Sequence, residues 1–189
     1  MSLEATVPRP PEGPERAGDG LASTIGRLVH LCQASLPPGE VAELRRLKLD
    51  NPWVPAFWRI AAQVLEPAGH LAGPPPAREE AERRWGTILA IVADLAAFHS
   101  HERSLGRALA HAEFSDLRFM RLVRASGEGL LVESRQAARF LASKGEAARL
   151  TDFAYLLLSD GSPRSEDVRR RMARDFYSGA TSAPSERTR

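Results

Sequence analysis

A single cysteine and only two lysines occur among the 189 residues, and each scarcity is informative. Cys32 has no partner in the chain for a disulfide, so a disulfide-built secreted scaffold is excluded and a reducing cytoplasm fits. Long apolar runs are missing too. The longest, residues 87–98, is interrupted by Asp94 and falls well short of the ~20 residues a membrane span needs. The first residues, Met1-Ser2-Leu3-Glu4, carry no basic stretch leading into an apolar one, which argues against secretion. The expectation is a soluble protein with no membrane partner.

Patterns that carry chemistry are equally scarce. There is no G-x-S-x-G elbow, no G-x-x-x-x-G-K-[ST] loop and no G-x-G-x-x-G turn. Cys32 lacks a companion cysteine at ligand spacing and falls on an apolar helix face, where a buried thiol is inert. His30, His70 and His111 lie on separate segments. His99 and His101 are two apart, where helical side chains diverge by about 200°. No catalytic residue, metal site or cofactor is expected.

Strand-like alternation never lasts more than a few residues and no repeat is visible, whereas helical period runs through the chain. Leu21, Ile25, Leu28, Val29 and Cys32 form one apolar stripe. Pro37-Pro38-Gly39 stops that helix, and a short one over 39–48 turns Val41, Leu44 and Leu47 inward. Asn51-Pro52 marks a turn before a helix rich in bulky residues over 53–65. Trp53, Phe57 and Trp58 lie beside Val54, Ile60 and Leu65, so they read as core before they read as stacking platforms.

Residues 67–76, with four prolines and two glycines, form the clearest internal boundary. Beyond it the spacing predicts a long helix over 77–99 and shorter ones over 104–111, 116–125, 129–144, 152–158 and 165–177. Ser115 and Thr151 read as N-caps, and Ser126-Gly127 and Gly145 as C-terminal stops. The class is all-α, with roughly eight or nine helices. The expected organisation is a disordered proline-rich tail over 1–17, a helical lobe over 18–66, the 67–76 link, a second lobe over 77–178 and a frayed tail over 179–189.

Charge is unevenly spread. Residues 1–102 carry 10 Lys/Arg against 13 Asp/Glu, and residues 103–189 carry 16 against 11. The cations are nearly all arginine, whose planar fork matches phosphate. In the basic half Arg118, Arg121 and Arg124 recur every third residue, Arg135 and Arg139 sit one turn apart, and Arg169, Arg170, Arg171 and Arg174 cluster near the end. Such ridges place guanidinium groups about 5–6 Å apart along a helix, a spacing able to follow a phosphate backbone without reading bases. Ordinary solvated faces, with Glu128, Glu133, Glu166 and Asp167 as partners, are the competing reading.

Three segments resemble a known family. Gly39-Glu40-Val41-Ala42-Glu43-Leu44-Arg45-Arg46 resembles the G-[DE]-x-A-x-L-R-R segment of the CasB family, the small subunit of the type I-E CRISPR complex Cascade. Arg118-Phe119-Met120-Arg121-Leu122-Val123 is similar to its R-F-x-R-L-L helix. The run from Arg170 to Tyr177 resembles its closing R-x-W-A-x-x-[FY]-[YW] segment, with Met172 in place of tryptophan. The likeness covers residues 20–178.

It implies a two-lobed helical bundle without catalytic activity, partnered by other Cascade subunits, crRNA and a second copy of itself. The implied role is to stabilise the R-loop by holding the displaced strand of target DNA. Family positions map onto Arg45, Arg46, Arg118, Arg121, Arg170 and Arg171. The helical ridges themselves add Arg124, Arg135, Arg139 and Arg174. A helix-turn-helix regulator built on 116–125 and 129–144, or a protein-only helical adaptor, are the alternatives.

Overall fold

The computed structural model describes residues 15–48 and 53–181. The two expected tails therefore lie largely outside the described residues, although residues 15–17 open the first helix and 179–181 close the last. The Asn51-Pro52 turn also lies outside them. Nine α-helices occur among the described residues, and apart from one isolated parallel bridge between His99 and Ala148 no strand does. The all-α expectation holds.

Helix α1 (Glu15–His30) buries Leu21, Ile25, Leu28 and Val29 and runs on into a wide π-helical turn over Leu31–Ser35. Prolines then set the entries. Pro38 opens α2 (Pro38–Arg45), Pro55 opens α3 (Pro55–Ile60) and Pro75 opens α4 (Pro75–Leu95), because a ring-fixed φ suits a first helical turn whose N–H needs no partner. Within the 67–76 link, Leu71 is buried and the His70 ring rests 4.6 Å from that of Trp85.

Helix α4 organises the molecule. Its first turns are charged and held by the ion pairs Arg78–Glu82 and Arg84–Glu80. From Trp85 to Ala93 every residue is buried, as happens only to a helix surrounded on all sides. It packs against α1, α2, α7 (Gly127–Lys144) and α8 (Leu150–Ser159). Helices on both sides of the link thus share one contiguous core.

Helices α5 (Leu105–His111), α6 (Asp116–Arg124) and α9 (Ser165–Thr181) complete the bundle. The pair α5 and α9 lies very close at Gly106, where a Cβ would stand 2.3 Å from the Met172 carbonyl oxygen. Phe176 of α9 stacks on Phe119 of α6, centroids 3.8 Å apart and planes 5° from parallel.

Some local expectations are corrected. Thr151 does not cap α8. It lies buried inside that helix, whose N-cap is Arg149. Gly127 does not end a helix but begins α7, with its N–H donated to Asp160 Oδ2 at 2.8 Å, so that helix starts two residues before the expected 129. Ser115 does occupy the N-cap of α6, but its side chain accepts no capping hydrogen bond. Gly145 ends α7 as expected, at φ 64° in the left-handed region that glycine enters without steric cost.

Candidate nucleic-acid interface

Arginines from two helices converge on one carboxylate. Asp94, near the end of α4, is 14% exposed and faces Arg45 at the end of α2 (Nε to Oδ1, 4.0 Å) and Arg139 of α7 (Nε to Oδ2, 3.8 Å). Both distances are long for ion pairs, and Oδ2 accepts no hydrogen bond. Burial pushes the Asp94 carboxyl above its ordinary value, although Arg135, Arg139 and Arg45 all act to lower it. One incompletely bonded carboxylate thus stands among three cations. The local balance is positive, and the outward forks of Arg45 and Arg139 keep donors for another anion.

Arg135 is different in kind. It is 6% exposed and donates Nη1 to the Leu47 carbonyl (3.1 Å) and Nη2 to the Arg45 carbonyl (2.9 Å). Its guanidinium satisfies the orphan carbonyls at the end of α2. Burial lowers its ordinary value, the nearby Arg139 adds to that, and Asp94 opposes it. Arg135 therefore leaves the set of candidate phosphate ligands and becomes the strut that holds Arg45 beside Arg139. Arg46 is exposed and folds back onto its own helix, Nε to the Ala42 carbonyl at 3.0 Å.

Helices α6 and α7 form a second, adjoining ridge. Arg118 lies over Phe140 and Arg121 pairs with Glu133 at 2.5 Å, so the two helices run antiparallel. Arg118, Arg121 and Arg124 are all exposed while Phe119 and Leu122 are buried beneath them. Glu133, one of the partners expected on a solvated face, does neutralise Arg121.

On α9, Arg170, Arg171 and Arg174 are exposed, but that helix packs chiefly on α5 and α8, apart from the Asp94 group. Arg171 lines a cavity of about 130 Å³ between α5, α8 and α9 together with Arg149, Asp152, Tyr155 and Asp175. Its field helps lower the Asp152 carboxyl, which burial nevertheless holds above the ordinary value. Arg169 is structural: it donates to the Val123 and Ala125 carbonyls and pairs with Asp160 at 2.8 Å, tying α9 to the end of α6.

Phe57 is fully buried, but Trp53 (55% exposed) and Trp58 (41%) are not core. His99 and His101 do not diverge, because the helix ends before them and their rings meet 4.6 Å apart. Cys32 is half-buried, and burial pushes its thiol up to about 11, with Arg45 acting the other way, so it carries little thiolate. Among the described residues no group of three or more His, Cys, Asp or Glu is gathered for a metal, and no helix is long and apolar enough to cross a membrane. Two elements of the basic surface went unread in the sequence: Asp94 as the hub, and Lys144 with Phe140 beside Arg139. The run Arg139-Phe140, with Lys144 one turn on, was the available signal.

The arrangement of helices defines a class already seen in solved structures. The chain is similar to one in the crystal structure of E. coli Cascade bound to a PAM-containing dsDNA target, with 20% identity, 82% of this chain and 95% of that chain covered, and a TM-score of 0.61. CasB from Thermus thermophilus matches at 24% identity over 85% of this chain and 97% of its own, TM-score 0.61. CasB from Thermobifida fusca matches at 18% over 85% and 97%, TM-score 0.62. No curated protein sequence is significantly similar. The family described as CRISPR-associated protein Cse2 matches residues 40–177, most of the chain, and the protein belongs to that family.

Proposed function

We propose that this chain is the small, non-catalytic subunit of a Cascade-type CRISPR complex, where its arginine-bearing faces hold nucleic acid through the phosphate backbone. The strand held is the displaced strand of target DNA, so the subunit stabilises the R-loop while guide pairing reads sequence. Its partners are the other subunits, the crRNA and a second copy of itself. Family membership and the likeness to a chain within DNA-bound Cascade support this placement.

The observation that carries the nucleic-acid part is the convergence of Arg45 and Arg139 on the incompletely bonded Asp94, braced by buried Arg135. Two exposed forks held side by side bind phosphate oxygens and discriminate nothing about the base. Such contacts are individually weak, and anchoring in an assembly raises the effective concentration at which they act. The regulator predicts sequence-dependent binding to duplex DNA. The protein-only adaptor predicts no salt-dependent DNA binding at all.

Co-purification tests the placement. The tagged chain, expressed with its neighbouring genes and a CRISPR array, is expected to elute in a large ribonucleoprotein containing crRNA of uniform length. Elution as a lone protein that retards duplex DNA in a sequence-dependent way contradicts the assignment and favours the regulator.

A further inference from the structure

An aromatic ring sits within the basic surface. Phe140 of α7 is half-buried, packed against the core and against Phe114 (centroids 5.1 Å apart, planes 60° from parallel). Over its ring stand two cations, Arg118 Cζ at 5.9 Å from the centroid and Lys144 Nζ at 5.8 Å. Both cationic side chains are exposed, and neither makes an ion pair with a carboxylate among the described residues. Arg139, the next residue along α7, belongs to the Asp94 group. Phe140 therefore joins that group to the α6 ridge.

From this geometry we infer that Phe140, Arg118 and Lys144 form a nucleotide subsite for single-stranded nucleic acid, with an unpaired base stacked on the Phe140 ring and its flanking phosphates held by the two cations. The inference rests on the proposed phosphate-binding role and adds a base-binding element to it. Three features favour it over an incidental surface contact. The ring is fixed from behind by Phe114 and the core, so it needs no ordering before a base arrives. Arg118 and Lys144 ride on long stems and, with no acidic partner among the described residues, rest on the ring itself. A base that displaces them from the ring leaves each cation free to turn outward to a phosphate, so stacking and charge pairing replace two exposed cation–π contacts. Every base has a π face, so the subsite tolerates any sequence, which suits a protein that leaves sequence reading to the guide.

The test uses the full chain and a short thymine-only DNA oligonucleotide, with affinity measured as a function of salt. Phe140→Leu, which keeps apolar packing, is expected to weaken binding about 5- to 100-fold while leaving the salt slope unchanged. Phe140→Trp is expected to retain it. Arg118→Gln and Lys144→Gln are each expected to lower the slope by about 0.7. A second measurement needs no variant: an oligonucleotide carrying iodouracil, irradiated on the wild-type chain, should cross-link to the peptide containing Phe140. Wild-type affinity in Phe140→Leu, or cross-links confined to other aromatics such as Trp53 and Trp58, overturns the subsite and leaves the phosphate-binding reading standing. Failure of the wild-type chain to bind the oligonucleotide even at low salt and high protein concentration, where weak phosphate contacts are at their strongest, overturns both.

Discussion

Arg135 and Arg139 occupy the same helix one turn apart, yet the fold gives them opposite employment. A four-residue spacing puts two side chains on one face but does not say whether that face meets water or a neighbouring helix. Here α7 rotates Arg135 under the end of α2 and leaves Arg139 outside. Arg135→Met should therefore lower stability by roughly 1–3 kcal/mol in urea unfolding, because the Arg45 and Leu47 carbonyls lose their donors. Arg139→Gln should leave the unfolding midpoint nearly unchanged and reduce the salt slope of single-strand binding by about 0.7.

Two histidines make an independent claim at the same scale. Burial holds the His70 imidazole below its ordinary value, where it shares a hydrogen bond with Thr24 Oγ1 at 2.9 Å. Burial does the same to His99, with His101 adding to the effect and a backbone hydrogen bond to Ala148 opposing it. As pH falls through about 6.5, the unfolded chain takes up protons that the native chain still refuses. Stability is thus fully present above that pH and declines in the window below it. Tm should be lower at about pH 5.5 than at about pH 7.5, and His70→Gln should shrink the difference. Raised carboxyls at Asp94 and Asp152 act in the opposite sense, favouring the native state as pH falls, so the change on His70→Gln isolates the histidine contribution.

Among the elements, the tightest joint is α5 against α9. Gly106 admits the α9 backbone so closely that a methyl group would also lie 2.9 Å from Phe176 N and Asp175 Cβ. Backbone cannot yield as a flexible side chain does. Gly106→Ala should cost about 1–3 kcal/mol by forcing the two helices apart, measurable as a lower unfolding midpoint. That approach was invisible in the sequence, where Gly106 is one small residue within a helical pattern. The existence and order of the helices were legible, because apolar period and proline or glycine punctuation are local signals. What local pattern could not supply was the neighbour each face would meet. Trp53 and Trp58 looked like core by their company, but only Phe57 turns fully inward. Asp94 looked like a blemish in an apolar run and is instead the hub around which Arg45, Arg135 and Arg139 gather.

For the molecule as a whole, one helix, α4, carries both a large part of the core and the hub, so the basic surface gathers around a helix that is buried from Trp85 to Ala93. Arg171 of α9 lies beside the acidic Asp152 and Asp175, and α9 packs chiefly on α5 and α8, which makes the α2–α7–α6 surface the principal candidate. The most direct measurement reconstitutes the complete complex on target duplex DNA with either the wild-type subunit or an Arg45→Gln, Arg139→Gln, Arg118→Gln variant, and maps exposure of the displaced strand to a single-strand nuclease. A subunit that holds the strand through this surface predicts that the variant assembles with normal crRNA content but leaves the displaced strand markedly more exposed. Equal protection of that strand by the variant complex would contradict it.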